Sequence, residues 1–310
     1  MPLRSGLRRL ALVGGLLVLA APPAVLLGGC TGGGIAAAET AQEAYDRGMA
    51  DFQRRRYDTA TEHFRAALDF GRGTPVARDA QLQLARAHNE NREYLLAGQE
   101  FTRFIELYPD DARVQDTEYE RLMSYYRLSP SYELDPTDTE RAIQYIQLFL
   151  VRYPDGPHAT EAQTMMEELR EKLARKRYEA ARLYERREMF EAAVMTYRSV
   201  LADFPTSPWT DEAMFGALRS QVRYAEVSVP MRQVERFSEG LALYDRLVEL
   251  FPTSPYLTEA QVYYDRAYTG RRDAEARLAA LSARPAAAPV PAPEAAPVTD
   301  EPTRTAGDGR

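Results

Sequence analysis

Apolar positions along this chain recur at helical spacing, in sets separated by three, four and three residues. Tyr57, Ala60, Phe64 and Ala67 form the first set, and Tyr94, Ala97, Phe101 and Phe104 the second. Ala142, Ile146 and Phe149 follow, then Phe190, Ala193, Tyr197 and Val200, then Phe237, Gly240, Tyr244 and Leu247. On a helix such spacings fall on one face, so each set predicts one amphipathic helix. Four of these helices run into an aromatic–proline pair: Tyr108-Pro109, Tyr153-Pro154, Phe204-Pro205 and Phe251-Pro252. A proline just past a helix end is a stop signal. Successive stops at Pro109, Pro154, Pro205 and Pro252 lie 45, 51 and 47 residues apart. Twice the continuation is Phe-Pro-Thr-Ser-Pro, where Ser or Thr can cap the next helix. Nothing in the chain alternates with the period of two that a strand requires.

The small residue in each set lets two helices approach closely, and the aromatic fills the groove towards the next pair. This periodic set resembles the tetratricopeptide repeat, in about five helix-turn-helix units within a domain spanning 40–275. The resemblance implies an all-α superhelix whose concave face binds an extended or helical peptide. Three units depart from the regular period. The third carries an insertion, Leu128 to Asp138, between its helices. The fourth has a long first helix from about Ala159 to Arg187. The fifth has an insert near Glu226 to Glu235, with Pro230 inside it.

The two ends read differently. Residues 1–29 combine Arg4, Arg8 and Arg9 with an apolar run from Leu10 to Leu27, the pattern of a secretory signal. The run approaches the length of a membrane span, but Pro22-Pro23 interrupts it and glycines end it. Leu27-Gly28-Gly29-Cys30 resembles a bacterial lipobox, which implies a covalent lipid on Cys30, the only cysteine of the 310 residues. One cysteine excludes an intrachain disulfide. Residues 30–39 read as a flexible tether, and 284–310 as a disordered Pro/Ala-rich tail with too few large apolar residues to build a core.

The formal charge is −7, and loss of three arginines with residues 1–29 makes it −10. A nucleic-acid partner, which selects a basic face, is excluded on that ground. His63, His88 and His158 are scattered, so no metal site and no cofactor are expected. Glu167-Glu168 reads as a solvated helix face, and no phosphate loop or nucleophile elbow follows a strand. The protein is therefore expected not to be an enzyme.

Lipobox, five repeats, aromatic–proline stops, third-unit insert and long fourth-unit helix together resemble the BamD family of barrel-assembly lipoproteins. Ser129-Pro-Ser-Tyr-Glu-Leu-Asp135 and Phe149-Leu-Val-Arg-Tyr-Pro154 are similar to its Bacteroidota-like form, as is Tyr178 to Arg187 running into Phe190-Glu-Ala-Ala193. The resemblance implies a lipid-anchored, non-catalytic scaffold on the periplasmic side of the outer membrane. Its implied partners are the central barrel insertase, met through a soluble periplasmic domain, and unfolded outer-membrane proteins. Some members carry an arginine where this chain has Thr196, and Thr31 is not an acidic retention residue. The competing reading is a periplasmic repeat lipoprotein that coordinates cell-wall synthesis or envelope division.

Candidate groove residues for substrate are Gln42, Tyr45, Phe52, Arg86 and Asn89. Substrate barrels tend to end in an aromatic residue with a carboxylate, which an arginine pairs bidentately. Equally, Tyr45 and Phe52 fit a core between hairpins, and Arg86 fits an ion pair with a neighbouring acid. Tyr184, Arg186 and Arg187 are the candidate docking residues for the insertase, since Tyr and Arg are favoured anchors. A solvated helix end beside the helix dipole is the alternative for the same run.

Overall fold

In the computed structural model, residues 40–283 are described. They form eleven α-helices and, among the described residues, no strand. Five helical hairpins follow one another: α1 (Ala41–Gln53) with α2 (Tyr57–Phe70), α3 (Pro75–Glu90) with α4 (Tyr94–Leu107), and α5 (Val114–Leu128) with α6 (Thr137–Arg152). Then come α7 (Ala159–Arg186) with α8 (Phe190–Asp203), and α9 (Thr210–Glu226) with α10 (Pro230–Leu250). A last helix, α11 (Leu257–Ser282), closes the stack against α9 and α10. The chain is an all-α tetratricopeptide-type superhelix. The signal, the tether and the tail, Cys30 included, lie outside the described residues.

The aromatic–proline pairs end helices by one local device. Tyr108, Tyr153, Phe204 and Phe251 are the C-caps of α4, α6, α8 and α10, with φ between −131° and −135° and ψ between 56° and 63°. A residue before proline is pushed out of the helical region, so each cap leaves the helix where its proline follows. Each still donates its N–H to the carbonyl four residues back. The serines of the Phe-Pro-Thr-Ser-Pro segments do not cap. Ser207 and Ser254 lie ahead of the helix start and accept the N–H of Trp209 and Tyr256, tightening the turn instead. Thr40 and Thr74 are the side-chain caps, of α1 and α3.

Between the helices of a hairpin the tight turns need one left-handed residue. Arg55, Arg92 and Glu188 take φ of 60°, 63° and 59° two residues before α2, α4 and α8. The third and fifth hairpins, whose turns differ, do without it. In the fifth, the expected insert is not a loop: Pro230 is the first residue of α10, where its missing N–H is no loss, and the added residues lengthen α10 to 21. In the third, the insert is held by α7. Lys176 Nζ donates to the carbonyls of Tyr132, Glu133 and Leu134 (3.1, 3.4 and 2.7 Å), and Lys172 Nζ to Ser129 Oγ (2.8 Å). Arg175 lies 4.2 Å from the Tyr132 ring centroid. These are the only two lysines of the chain, and Lys176 uses a compact ammonium that three carbonyls can surround.

Ala60, Ala97, Ala142 and Ala193 are fully buried, as are the aromatic or apolar residues a turn later, Phe64, Phe101, Ile146 and Tyr197. Tyr244 of the fifth set stays half-exposed, because α11 alone covers that end. Where aromatics press on a neighbouring helix, glycine makes room: a Cβ at Gly216 would sit 2.6 Å from the Tyr197 ring. Gly216→Ala is therefore expected to cost about 1–3 kcal/mol by overpacking, read as a lower urea midpoint with unchanged slope.

Three pairs of first helices touch, α1 with α3, α7 with α9, and α9 with α11. No pair of second helices is comparably close. That asymmetry, with the Arg86–Glu120 bond joining α3 to α5, puts the first helices on the inner side of the stack.

Candidate functional site

The inner row carries charges in a regular relation. Asp79 meets Arg113, Arg86 meets Glu120, Tyr178 meets Glu212 and Glu185 meets Arg219, each pair 34 residues apart. The partners stand on successive first helices, so these bonds tie the second hairpin to the third and the fourth to the fifth.

In the first two hairpins, Gln42 is exposed and donates to Asp46 Oδ1 at 2.9 Å. Tyr45 is half-buried against Phe64, ring centroids 5.9 Å apart, and Phe52 packs edge-on against Tyr57 at 5.4 Å. Both belong to the apolar seam between hairpins. Burial pushes the Tyr45 hydroxyl pKa up, and Asp79 adds to the rise while Arg113 and Arg86 oppose it. The phenol thus lies within the field of the seam's charges.

Arg86 is engaged rather than vacant. Its Nε and terminal nitrogen donate to both oxygens of Glu120 at 2.9 and 2.6 Å, and this bond holds the guanidinium pKa above its ordinary value. One turn on, Asn89 Oδ1 accepts from Ser124 Oγ and from Arg127, both at 3.3 Å. Arg86 and Asn89 share a face of α3 and both bond to α5. A carboxylate binding there exchanges with Glu120. The bidentate fork that such recognition needs is already formed, with an internal carboxylate in place.

At the end of α7, Tyr184 is partly buried against the C-terminal core, while Arg186 and Arg187 are exposed. Arg186 lines a recess of about 280 Å³ shared by α7, α9 and α11, and Arg187 is not among its lining residues. Between Tyr184 and Arg186 sits the residue that sequence reasoning passed over. Glu185 is buried, and Arg219 grips both of its oxygens at 2.5 and 2.7 Å while the Tyr197 hydroxyl donates at 2.9 Å. Arg223 lies 3.6 Å away. Burial alone raises the Glu185 pKa, but the bonds and charge of Arg219 outweigh it and bring the pKa below the ordinary value. Only the 34-residue offset to Arg219 could have flagged this glutamate in the sequence.

Apolar residues also reach the surface where α7 turns into α8 and α9 into α10. Met189, Met195 and Val227 are exposed around Phe190 and Tyr224. Among the described residues no group of three or more His, Cys, Asp or Glu is placed to hold a metal ion. None of their helices is long and apolar enough to cross a membrane.

Comparison with known proteins bears on this geometry. Residues 37–225 match the family profile YfiO, described as an outer membrane lipoprotein. The outer membrane protein assembly factor BamD of Caulobacter vibrioides is 26% identical over 171 residues, 55% of this chain and 56% of that protein. The BamD of Rickettsia prowazekii is 22% identical over 176 residues, 57% of this chain and 70% of its own. The chain thus spans just over half the length of the Caulobacter relative. Among solved structures, the TPR2AB domain–pHSP90 complex of yeast Sti1 aligns with a TM-score of 0.37 and 18% identity, over 78% of this chain and 85% of that one.

Proposed function

The chain belongs to the YfiO family of outer membrane lipoproteins, and from that premise we propose that it is a non-catalytic scaffold for assembly of outer-membrane β-barrel proteins. The observation that carries the proposal is the family match over residues 37–225, which takes in four hairpins and most of α9. A tetratricopeptide stack has no chemistry of its own, so its function lies in what its inner row and ends bind.

In this reading Cys30 carries the lipid that holds the protein at the periplasmic face of the outer membrane. A single acyl chain anchors only marginally, so retention requires more than one. The N-terminal hairpins receive unfolded barrel substrates, with Arg86 exchanging Glu120 for a substrate carboxylate beside Tyr45 and Asn89. The C-terminal hairpins dock a soluble periplasmic domain of the central insertase, with Tyr184, Arg186 and Arg187 as the anchors. The exposure of both arginines supports that role.

The test is a detergent pull-down of the native lipoprotein, tagged at its C-terminus, with mass spectrometry of the bound proteins. The expected result is a large outer-membrane barrel protein bearing soluble repeat domains. Its yield should fall at least about tenfold in an Arg186→Glu, Arg187→Glu chain, the loss of about 1.4 kcal/mol or more that an interface anchor carries. Recovery of cell-wall synthases or hydrolases without that barrel overturns the scaffold and supports the competing reading.

A further inference from the structure

The recess between α7, α9 and α11 has a surplus of positive charge in an acidic protein. Arg182, Arg186, Arg219 and Arg223 line it against Glu185 and Glu259 alone. Glu185 is already saturated by both bonds from Arg219 and the one from Tyr197. That leaves Arg223 at 3.6 Å from Glu185, Arg182 at 3.5 Å from Glu179, and Arg186 with no ion pair among the described residues. Three guanidinium forks therefore present donors to one opening. A planar fork of this kind matches a carboxylate, as the Arg219–Glu185 and Arg86–Glu120 pairs in this molecule illustrate.

The chain supplies carboxylates of its own within reach. Helix α11 passes the recess at Glu259 and Tyr263 and ends at Ser282. Those 19 residues from Tyr263 to Ser282 span about 28 Å at the helical rise. Beyond the described residues the sequence continues through Pro285, Pro289, Pro291, Pro293 and Pro297 to Asp300-Glu301, the one adjacent pair of acids in residues 284–310. Covalent geometry lets any chain span at most about 3.3 Å per residue, so the 18 residues from Ser282 to Asp300 can bridge up to about 59 Å. The tail is long enough to turn back along α11 to the arginines with length to spare.

We propose that the Asp300-Glu301 segment of the chain's own C-terminal tail binds Arg186 and Arg223 in this recess. The tail is then an internal competitor, which an acidic segment of any other protein must displace. Tethering keeps its effective concentration near millimolar, so the segment fills the site once its combined pairing corresponds to a Kd below about 1 mM. The inference rests on the recess and the tail, not on the docking reading above, since it needs no partner.

The experiment uses the full chain with the photoreactive residue benzoylphenylalanine replacing exposed Glu259. Irradiated dilute and at low salt, it should give a cross-link at monomer mass whose second peptide lies within residues 294–303. An Asp300→Asn, Glu301→Gln chain, altered outside the sequence of the helical repeats, should lose that product at least about fivefold, and Arg186→Glu, Arg223→Glu likewise. Raising salt to about 0.5 M should weaken it through screening. A product unchanged by the tail substitutions, one mapping elsewhere, or one found only at dimer mass overturns the proposal.

Discussion

Glu185→Ala is expected to destabilise the C-terminal repeats by about 3–5 kcal/mol, the cost of stranding a buried charge whose partner is removed. The glutamate is buried, and it is the shared acceptor for Arg219 and Tyr197. Truncation leaves the Arg219 guanidinium without a counter-charge and the Tyr197 hydroxyl, itself fully buried, without an acceptor. Replacing both partners with apolar residues, as in Glu185→Leu with Arg219→Met, should recover most of the loss, because the penalty lies in the orphaned charge. Urea titrations of the two single variants and the double variant measure the coupling. Equal losses in Glu185→Ala and the double variant would contradict it.

The same pair sets a pH dependence. The Glu185 pKa is lowered in the folded protein despite its burial. A depressed carboxylate contributes stability that is fully present above its unfolded value, about 4.3, and lost as pH falls through the folded value. The stability gap between the native chain and Glu185→Ala should therefore stay constant from about pH 5 to 8 and narrow below about pH 4. A gap that widens on acidification would mean the carboxylate acts otherwise than by charge.

Phe101→Ala should cost about 3–5 kcal/mol, the range for emptying a buried aromatic site, but in another part of the molecule. Phe101 is fully buried with Leu82, Ala85, Ala97 and Phe104 between α3 and α4. In a stack where each repeat touches only its neighbours, stability is nearly a sum of local terms. Hydrogen exchange should thus show protection lost in α3, α4 and α5 and kept in α9, α10 and α11. Glu185→Ala should give the reverse pattern. Uniform loss in both variants would show that the array unfolds as one unit.

Helix positions and their stops were legible because their causes are local. The small and aromatic positions at three and four residues need only the helical period, and the caps at Tyr108, Tyr153, Phe204 and Phe251 need only the proline that follows. Helix α11 was harder to see. Its buried face is Ala260, Tyr263, Ala267 and Ala274, mostly alanine, and it follows the last stop without a second helix to complete a repeat. Pro230 misled in the other direction, since proline breaks a helix interior but opens a first turn equally well.

The candidate side chains were less legible. Tyr45 and Phe52 lie in the seam, as residues of a repeating apolar face do. The charged candidates depended on partners one repeat away, Glu120 for Arg86 and Arg219 for the neighbour of Arg186. In the run Tyr184-Glu-Arg-Arg187 the exposed arginines drew attention, and the buried glutamate did not. Helix geometry places Glu185 and Arg186 about 100° apart, but only the packing of α8 and α9 against α7 decides which of the two is enclosed.

By itself, then, the sequence determined that this chain forms helical hairpins in series, where α4, α6, α8 and α10 end and which small residues let them pack. Those outcomes follow from dihedral preference and hydrophobic period, which act over a few residues. The tertiary structure decided which charges meet, which arginines keep donors to spare, and that both lysines fasten the third-hairpin insert to α7. Burial and pairing are set by side chains some 34 to 44 residues distant, brought into contact only when the hairpins stack.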